Sequence, residues 1–332
     1  MSQRQQWTIL ATLIAVPILF WLLIRPVDDV PQSERTSVQI VVADGATLSQ
    51  VADSLFSRRM INSRLFFEIY VRARREDRRI KAGRYQMNVG SSWASTVRQL
   101  TRGEVMTEAI TIPEGFRLNQ IAPRIAQLSR ESIADVTTLL VSSDLGEQLD
   151  VPGPGAEGYL FPDTYRFAEG VPVAQILNAM VERYRAIWTP DRRTRLSDLG
   201  MTEREIVTLA SIIQAEAQLE QEMPHISGVF HNRLERGWLL QADPTVTYAL
   251  GGYRERLLFA AIDSVADSPY NTYRRRGLPP GPIGAPGEAA IDAALNPVRE
   301  YLYFVARPDG SHIFTRSLAE HNQAQREVAG ER

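Results

Sequence analysis

The stretch LASIIQAEAQLEQEM, residues 209–223, opens as an apolar helix and carries three glutamates, Glu216, Glu220 and Glu222. Residues 205–217 read as helix, because Ile206, Leu209, Ala210, Ile213 and Ala217 recur at helical spacing. Glu216 lies three residues after Ile213, four after Ile212 and seven after Leu209, which puts it along the apolar side. Gln214 falls towards the polar side with Ser211 and Ala215. The polar QLEQ and Pro224 predict a break near Gln218, so Glu220 ranks behind Glu216, and Glu222 reads as a solvated charge near the next helix start. A carboxyl group flanked by isoleucines loses hydration, which favours its protonated form. That is the state a general acid needs. A carboxylate paired with an arginine from the Arg-rich loops is the competing reading, and the pattern alone does not separate the two.

Outward from this helix, the 332 residues suffice for roughly two domains with buried cores. The composition is that of an ordinary folded protein, 44% hydrophobic and 23% charged. A formal net charge of -2 carries no electrostatic footprint for nucleic acid. The absence of cysteine removes thiol nucleophiles, disulfides and Cys-based metal sites. No phosphate-binding loop, dinucleotide fingerprint or G-x-S-x-G elbow occurs, so no cofactor is expected. Nor is a metal: His225, His231, His312 and His321 have no ligand spacing and read as surface or loop residues.

Residues 7–24, WTILATLIAVPILFWLLI, are uncharged and almost wholly apolar. Their length matches one pass through a hydrocarbon core about 30 Å thick, and an aromatic residue stands near each end. A cleaved signal peptide is the alternative, but no small-x-small site follows. The expected arrangement is a cytoplasmic tail (1–6), a single-pass inner-membrane anchor (7–24) and a linker (25–36) carrying Pro26 and Pro31. All that follows would lie on the periplasmic, extracytoplasmic side.

Beyond the linker, residues 37–42 alternate as a strand, and Thr47 caps a helix bearing Leu48, Val51, Ala52 and Leu55. Another helix follows from residue 63, a strand at 82–89, a helix ending at Gly103 and a strand at 109–115. Residues 153–167 and 268–287 are long Gly- and Pro-rich loops with many aromatics, the kind that line a site. A helix over 224–236, a Pro-started helical turn after Ala242 and an Asp309-Gly310 hairpin complete the pattern. Strands and helices mix without a βαβ rhythm, so the fold class is α+β.

Taken together, TIPEG, EGYLFPDTYRF, LASIIQAEA, GVFHNRL, LQADPTVTYALG, YNTYRRRGLPPGPIGAPG and YLYFVARPDGSHIFTRSLAEHN resemble the MltG (YceG-like) family of membrane-bound endolytic murein transglycosylases. The resemblance covers nearly the whole chain. It implies a small LysM-like α/β module (37–107) and a larger mixed α+β catalytic domain (108–332). It also implies Glu216 as the catalytic residue; a second glutamate common in that block is Gln214 here. The implied reaction cuts the β-1,4 bond between N-acetylmuramic acid and N-acetylglucosamine inside a glycan strand, leaving a 1,6-anhydro end. Gln241, Asp243, Thr245 and Tyr248 are the expected substrate contacts from one block, and Asn271, Thr272 and Tyr273 from another. Glu157 is expected as a partner tuning Glu216, although Asp243 before Pro244 also suits an ordinary helix cap. Arg274–Arg276 would meet acidic stem peptides or lipid headgroups. The implied partners are peptidoglycan strands, the membrane through the amino-terminal helix, and peptidoglycan synthases. A non-catalytic, membrane-anchored glycan-binding adaptor is the alternative.

Overall fold

Alternation turns Ser37–Val42 (β1) into a strand with Ile40 and Val42 inward and Val41 outward. It pairs antiparallel with Gly83–Asn88 (β2), in a register running from Ser37 opposite Asn88 to Val42 opposite Gly83. Between them lie Leu48–Ser57 (α1) and Arg64–Ala73 (α2). Thr47 closes a capping box with Gln50 at the start of α1, as the sequence led one to expect. Trp93–Arg102 (α3) follows β2 and ends at Gly103, whose φ of +74° is the left-handed cap that glycine tolerates best. Phe67, Tyr85 and Trp93 anchor the core of this layer. The computed structural model describes residues 36–153, 155–252 and 259–330. The apolar stretch 7–24 and nearly all of the linker lie outside the described residues. No helix among the described residues is long and apolar enough to cross a membrane.

The chain divides into two compact units. One runs to Glu108 and includes Arg166–Gly170; the other comprises Ala109–Tyr165 and everything from Val171. Thr107–Thr111 (β3) pairs with Thr164–Ala168 (β4). The strand stops two residues short of Pro113, earlier than the pattern suggested, and beyond it Ile112 donates its N–H to Asp163. Leu118–Ser129 (α4), Ile133–Leu140 (α5) and the short Leu145–Gln148 (α6) follow β3. Val173–Ala186 (α7) and Pro190–Leu199 (α8) precede the central helix of the second unit, Glu203–Glu216 (α9).

A capping box between Thr202 and Glu205 starts α9. Every residue from Ile206 to Ile213 is buried, so the helix is enclosed on all sides rather than along one stripe. Its neighbours are Met223–Glu235 (α10), Asp243–Ala249 (α11) and Glu288–Leu295 (α13). Phe259–Ser264 (α12) lies between the last two in sequence. Gly228 lets α10 touch the chain after α13: a Cβ there would stand 1.8 Å from the Val298 carbonyl oxygen. Tyr303–Ala306 (β5) and His312–Thr315 (β6) form the hairpin around Asp309-Gly310, and Leu318–Gly330 (α14) closes the chain. Fourteen α-helices and three two-stranded sheets among the described residues make the fold α+β.

Candidate active site

Glu216 is the last residue of α9, and Ala217 after it is already extended. The enclosed body of the helix therefore delivers this side chain at the point where the backbone turns away. The residue is half-buried, so it keeps a route to solvent. Loss of hydration, reinforced by the negative charge of Asp243, pushes its carboxyl up to about 8. The Arg233 guanidinium and the backbone N–H of Asp243 pull the other way without prevailing.

Asp243 opens α11 as its first helical residue, and Ala242 holds the cap position before it. The Asp243 carboxylate accepts a hydrogen bond from the Tyr273 hydroxyl. Burial and the charges of Asp243 and Glu216 hold that phenol well above the ordinary tyrosine range. The stretch before α11 is fixed by a latch of hydroxyls. Thr272 accepts from the Ala242 N–H at 3.0 Å and lies 2.9 Å from the Thr245 hydroxyl, which donates to the Ala242 carbonyl at 2.7 Å. Gln241, with a left-handed φ of +50°, donates its N–H to the Thr272 carbonyl at 3.1 Å and stays exposed. Asn271 is buried and donates to the carbonyls of Ile262 and Val265, while accepting the Tyr273 N–H. Thr245, Asn271 and Thr272 thus have their polar atoms committed to protein partners. They aim Asp243 and Tyr273; Gln241, Asp243 and Tyr273 are the members left able to meet a ligand.

Arg233, on α10, was not singled out from sequence. It is 8% exposed, donates to the carbonyls of Leu240 at 2.6 Å and Leu302 at 3.4 Å, and lies over the Tyr303 ring. Burial lowers its pKa, and the Glu216 charge opposes that shift. Helical phase could have revealed it: Arg233 lies three after Phe230, four after Val229 and seven after Ile226, all fully buried. Gln214, which phase assigned to the wet side, accepts the Gly287 N–H at 3.0 Å. Glu222 is not a solvated charge either. It accepts from the His312 N–H at 3.1 Å and lies 2.7 Å from His312 Nδ1, tying β6 to the segment that follows Glu216. Nor are the histidines uniformly superficial, since His231 is buried with Nε2 2.9 Å from the Ala294 carbonyl.

Glu157 belongs to a second cluster. Its carboxylate accepts the Leu118 N–H at 3.3 and 3.5 Å and the Tyr248 hydroxyl at 3.3 Å. Burial pushes it up to about 7 against those hydrogen bonds and the nearby Arg117 guanidinium. Among the described residues, the groups that perturb Glu216 are Asp243 and Arg233, and Glu157 is not one of them. Arg274, the first residue of the basic triplet, pairs with Asp263.

A family model, the YceG-like family, matches residues 40–327. The chain belongs to the YceG-like family. An endolytic murein transglycosylase of Bacillus subtilis is 33% identical over 320 residues, covering 91% of this chain and 87% of that protein. Its namesake in Streptococcus pneumoniae is 29% identical over 322 residues, which cover 88% of this chain and 58% of that longer protein. The crystal structure of a YceG-like protein from Listeria monocytogenes aligns with a TM-score of 0.59 at 31% identity, covering 88% of this chain and 100% of that one.

Proposed function

We propose that this YceG-like protein is an endolytic murein transglycosylase with Glu216 as its single acid and base. The observation that carries the reading is a half-buried carboxyl held up to about 8, and so protonated at neutral pH, at the end of an enclosed helix. The names of its relatives supply the substrate class. Glu216 gives its proton to the glycosidic oxygen as the bond from muramyl C1 breaks. The 6-hydroxyl of the same sugar then bonds to C1 and returns its proton to Glu216. No water is consumed, and the cut end is a 1,6-anhydro sugar. A nucleophile already attached to the sugar needs no separate base to bring it into position.

Asp243 has a part beyond holding hydroxyl groups. Glycoside cleavage passes through a transition state with positive charge on the sugar ring. An exposed carboxylate facing Glu216, steadied by the Tyr273 hydroxyl, offsets that charge and keeps Glu216 protonated until it is needed. Arg233 stabilises the Glu216 anion formed midway.

The apolar stretch 7–24 supports a single-pass anchor in the inner membrane, with the remaining chain outside the cytoplasm. Residues 37–107 serve as a LysM-like glycan-binding module tethered by the linker, and the cut ends nascent strands beside the synthases that extend them. Digestion of purified peptidoglycan by the full-length protein, with mass spectrometry of the fragments, tests the reading. Anhydro-ended strands from wild type, and about 10²–10⁴-fold slower release from Glu216→Gln, are expected. Reducing ends would instead indicate hydrolysis, and inert wild type would favour the adaptor reading.

A further inference from the structure

A cavity of about 540 Å³ opens beside Glu157, walled chiefly by Arg117, Leu118, Leu140, Tyr248 and Tyr270. Its aromatic wall is made by Tyr248 and Tyr270, whose ring centroids are 4.8 Å apart and tilted by 47°. The Arg117 guanidinium lies 5.1 Å from the Tyr248 ring centre. The hydrogen bonds that Glu157 accepts from Leu118 and Tyr248 span 3.3–3.5 Å, long for a carboxylate, which leaves capacity for a shorter donor from a ligand. Ring faces, one anchored acceptor and one cationic donor are the few placed groups that orient a ligand in a mostly apolar pocket. A carboxyl group set close to the guanidinium disfavours an acidic ligand, which suits a neutral, hydroxyl-bearing one better.

Two segments run from this cavity to the Glu216 centre. Asp243 begins α11 and Tyr248 lies five residues along it, about 7.5 Å of helical rise. The turn 270–273 likewise brings Tyr270 to the cavity and Tyr273 to Asp243. A strand cut at Glu216 can therefore continue into the cavity along α11.

The geometry points to the Arg117–Glu157–Tyr248–Tyr270 cavity as a separate subsite that grips one neutral pyranose ring of the glycan strand, away from the bond being cut. This inference rests on the transglycosylase reading. It makes Tyr270 and Arg117 substrate contacts, and it gives Glu157 a ligand of its own in place of a tuning role.

The test uses full-length protein in detergent and uncrosslinked glycan strands of defined, increasing length. In a non-cleaving Glu216→Gln background, Tyr270→Ala and Glu157→Ala are expected to weaken binding of long strands about tenfold, the scale of losing one well-packed anchor. The shortest fragments, which fill only the Glu216 centre, should bind as before. Tyr270→Phe keeps the ring and should restore most of the affinity, separating lost contact from lost fold. With Glu216 intact, Tyr270→Ala should raise KM for long strands and leave kcat nearly unchanged. Equal affinities at every length, with wild type still cutting strands, would overturn the subsite and leave the transglycosylase reading standing. Wild type that neither binds nor cuts strands would overturn both.

Discussion

The Asp243 carboxylate opposes ionisation of the Glu216 carboxyl, while the backbone N–H of the same residue favours it. One residue thus acts on the acid in both directions, and the balance depends on where α11 begins. The hydroxyl latch of Thr245 and Thr272 sets that starting point. The proposed catalytic centre is therefore a relationship between a helix end and a helix start.

Glu216→Gln should lower activity by about 10²–10⁴-fold, the usual contribution of a positioned general acid. The same variant should be more stable than wild type at high pH. The native state holds the Glu216 proton to about pH 8, whereas an unperturbed carboxyl holds it to about 4.5. Between those values the native state binds more protons than the unfolded chain, so this group's contribution to stability falls as pH rises. Thermal melts of both proteins at pH 4.5 and 8.5 should show a gap only at the higher pH. A constant gap would contradict the burial of this carboxyl.

Activity should decline on the alkaline side as Glu216 loses its proton. Asp243→Asn removes the charge that raises this pKa, so the alkaline limb of kcat/KM should move to lower pH. An unmoved limb would sever the electrostatic link between the two residues.

Tyr273→Phe leaves Asp243 without its phenolic donor. Hydrogen bonds to charged groups contribute about 1.5–3 kcal/mol, and Asp243 is exposed enough for water to replace part of this one. A fall of about tenfold in kcat/KM is expected, with melting temperature nearly unchanged.

Gly228→Ala tests the packing under the site. A Cβ at 1.8 Å from the Val298 carbonyl oxygen would have to push two backbones apart. Urea unfolding should show a loss of about 1–3 kcal/mol, typical of an overpacked contact.

Much of the framework could be read from the chain. The Thr47 cap, the β1 alternation, the Gly103 stop and the Asp309-Gly310 hairpin are local signals, and each appears where the sequence indicated. Helical phase also put Glu216 on the apolar side, and burial does raise its pKa. Phase failed for Gln214 because it assumes one wet face along the helix, and α9 has none from Ile206 to Ile213. Asp243 next to Pro244 looked like a cap, yet Ala242 holds the cap position and the carboxylate turns to Tyr273. Glu222 with His312, and Glu157 with Tyr248, join positions about ninety residues apart, and no local pattern encodes such pairs.

Product chemistry tests the central claim most directly. Peptidoglycan digested with the full-length protein should yield glycan fragments whose muramyl ends resist borohydride and carry the mass of a 1,6-anhydro sugar. Glu216→Gln, folded and stable, should yield them about 10²–10⁴-fold more slowly. Borohydride-reducible ends from wild type, or anhydro ends from Glu216→Gln at the wild-type rate, would contradict it.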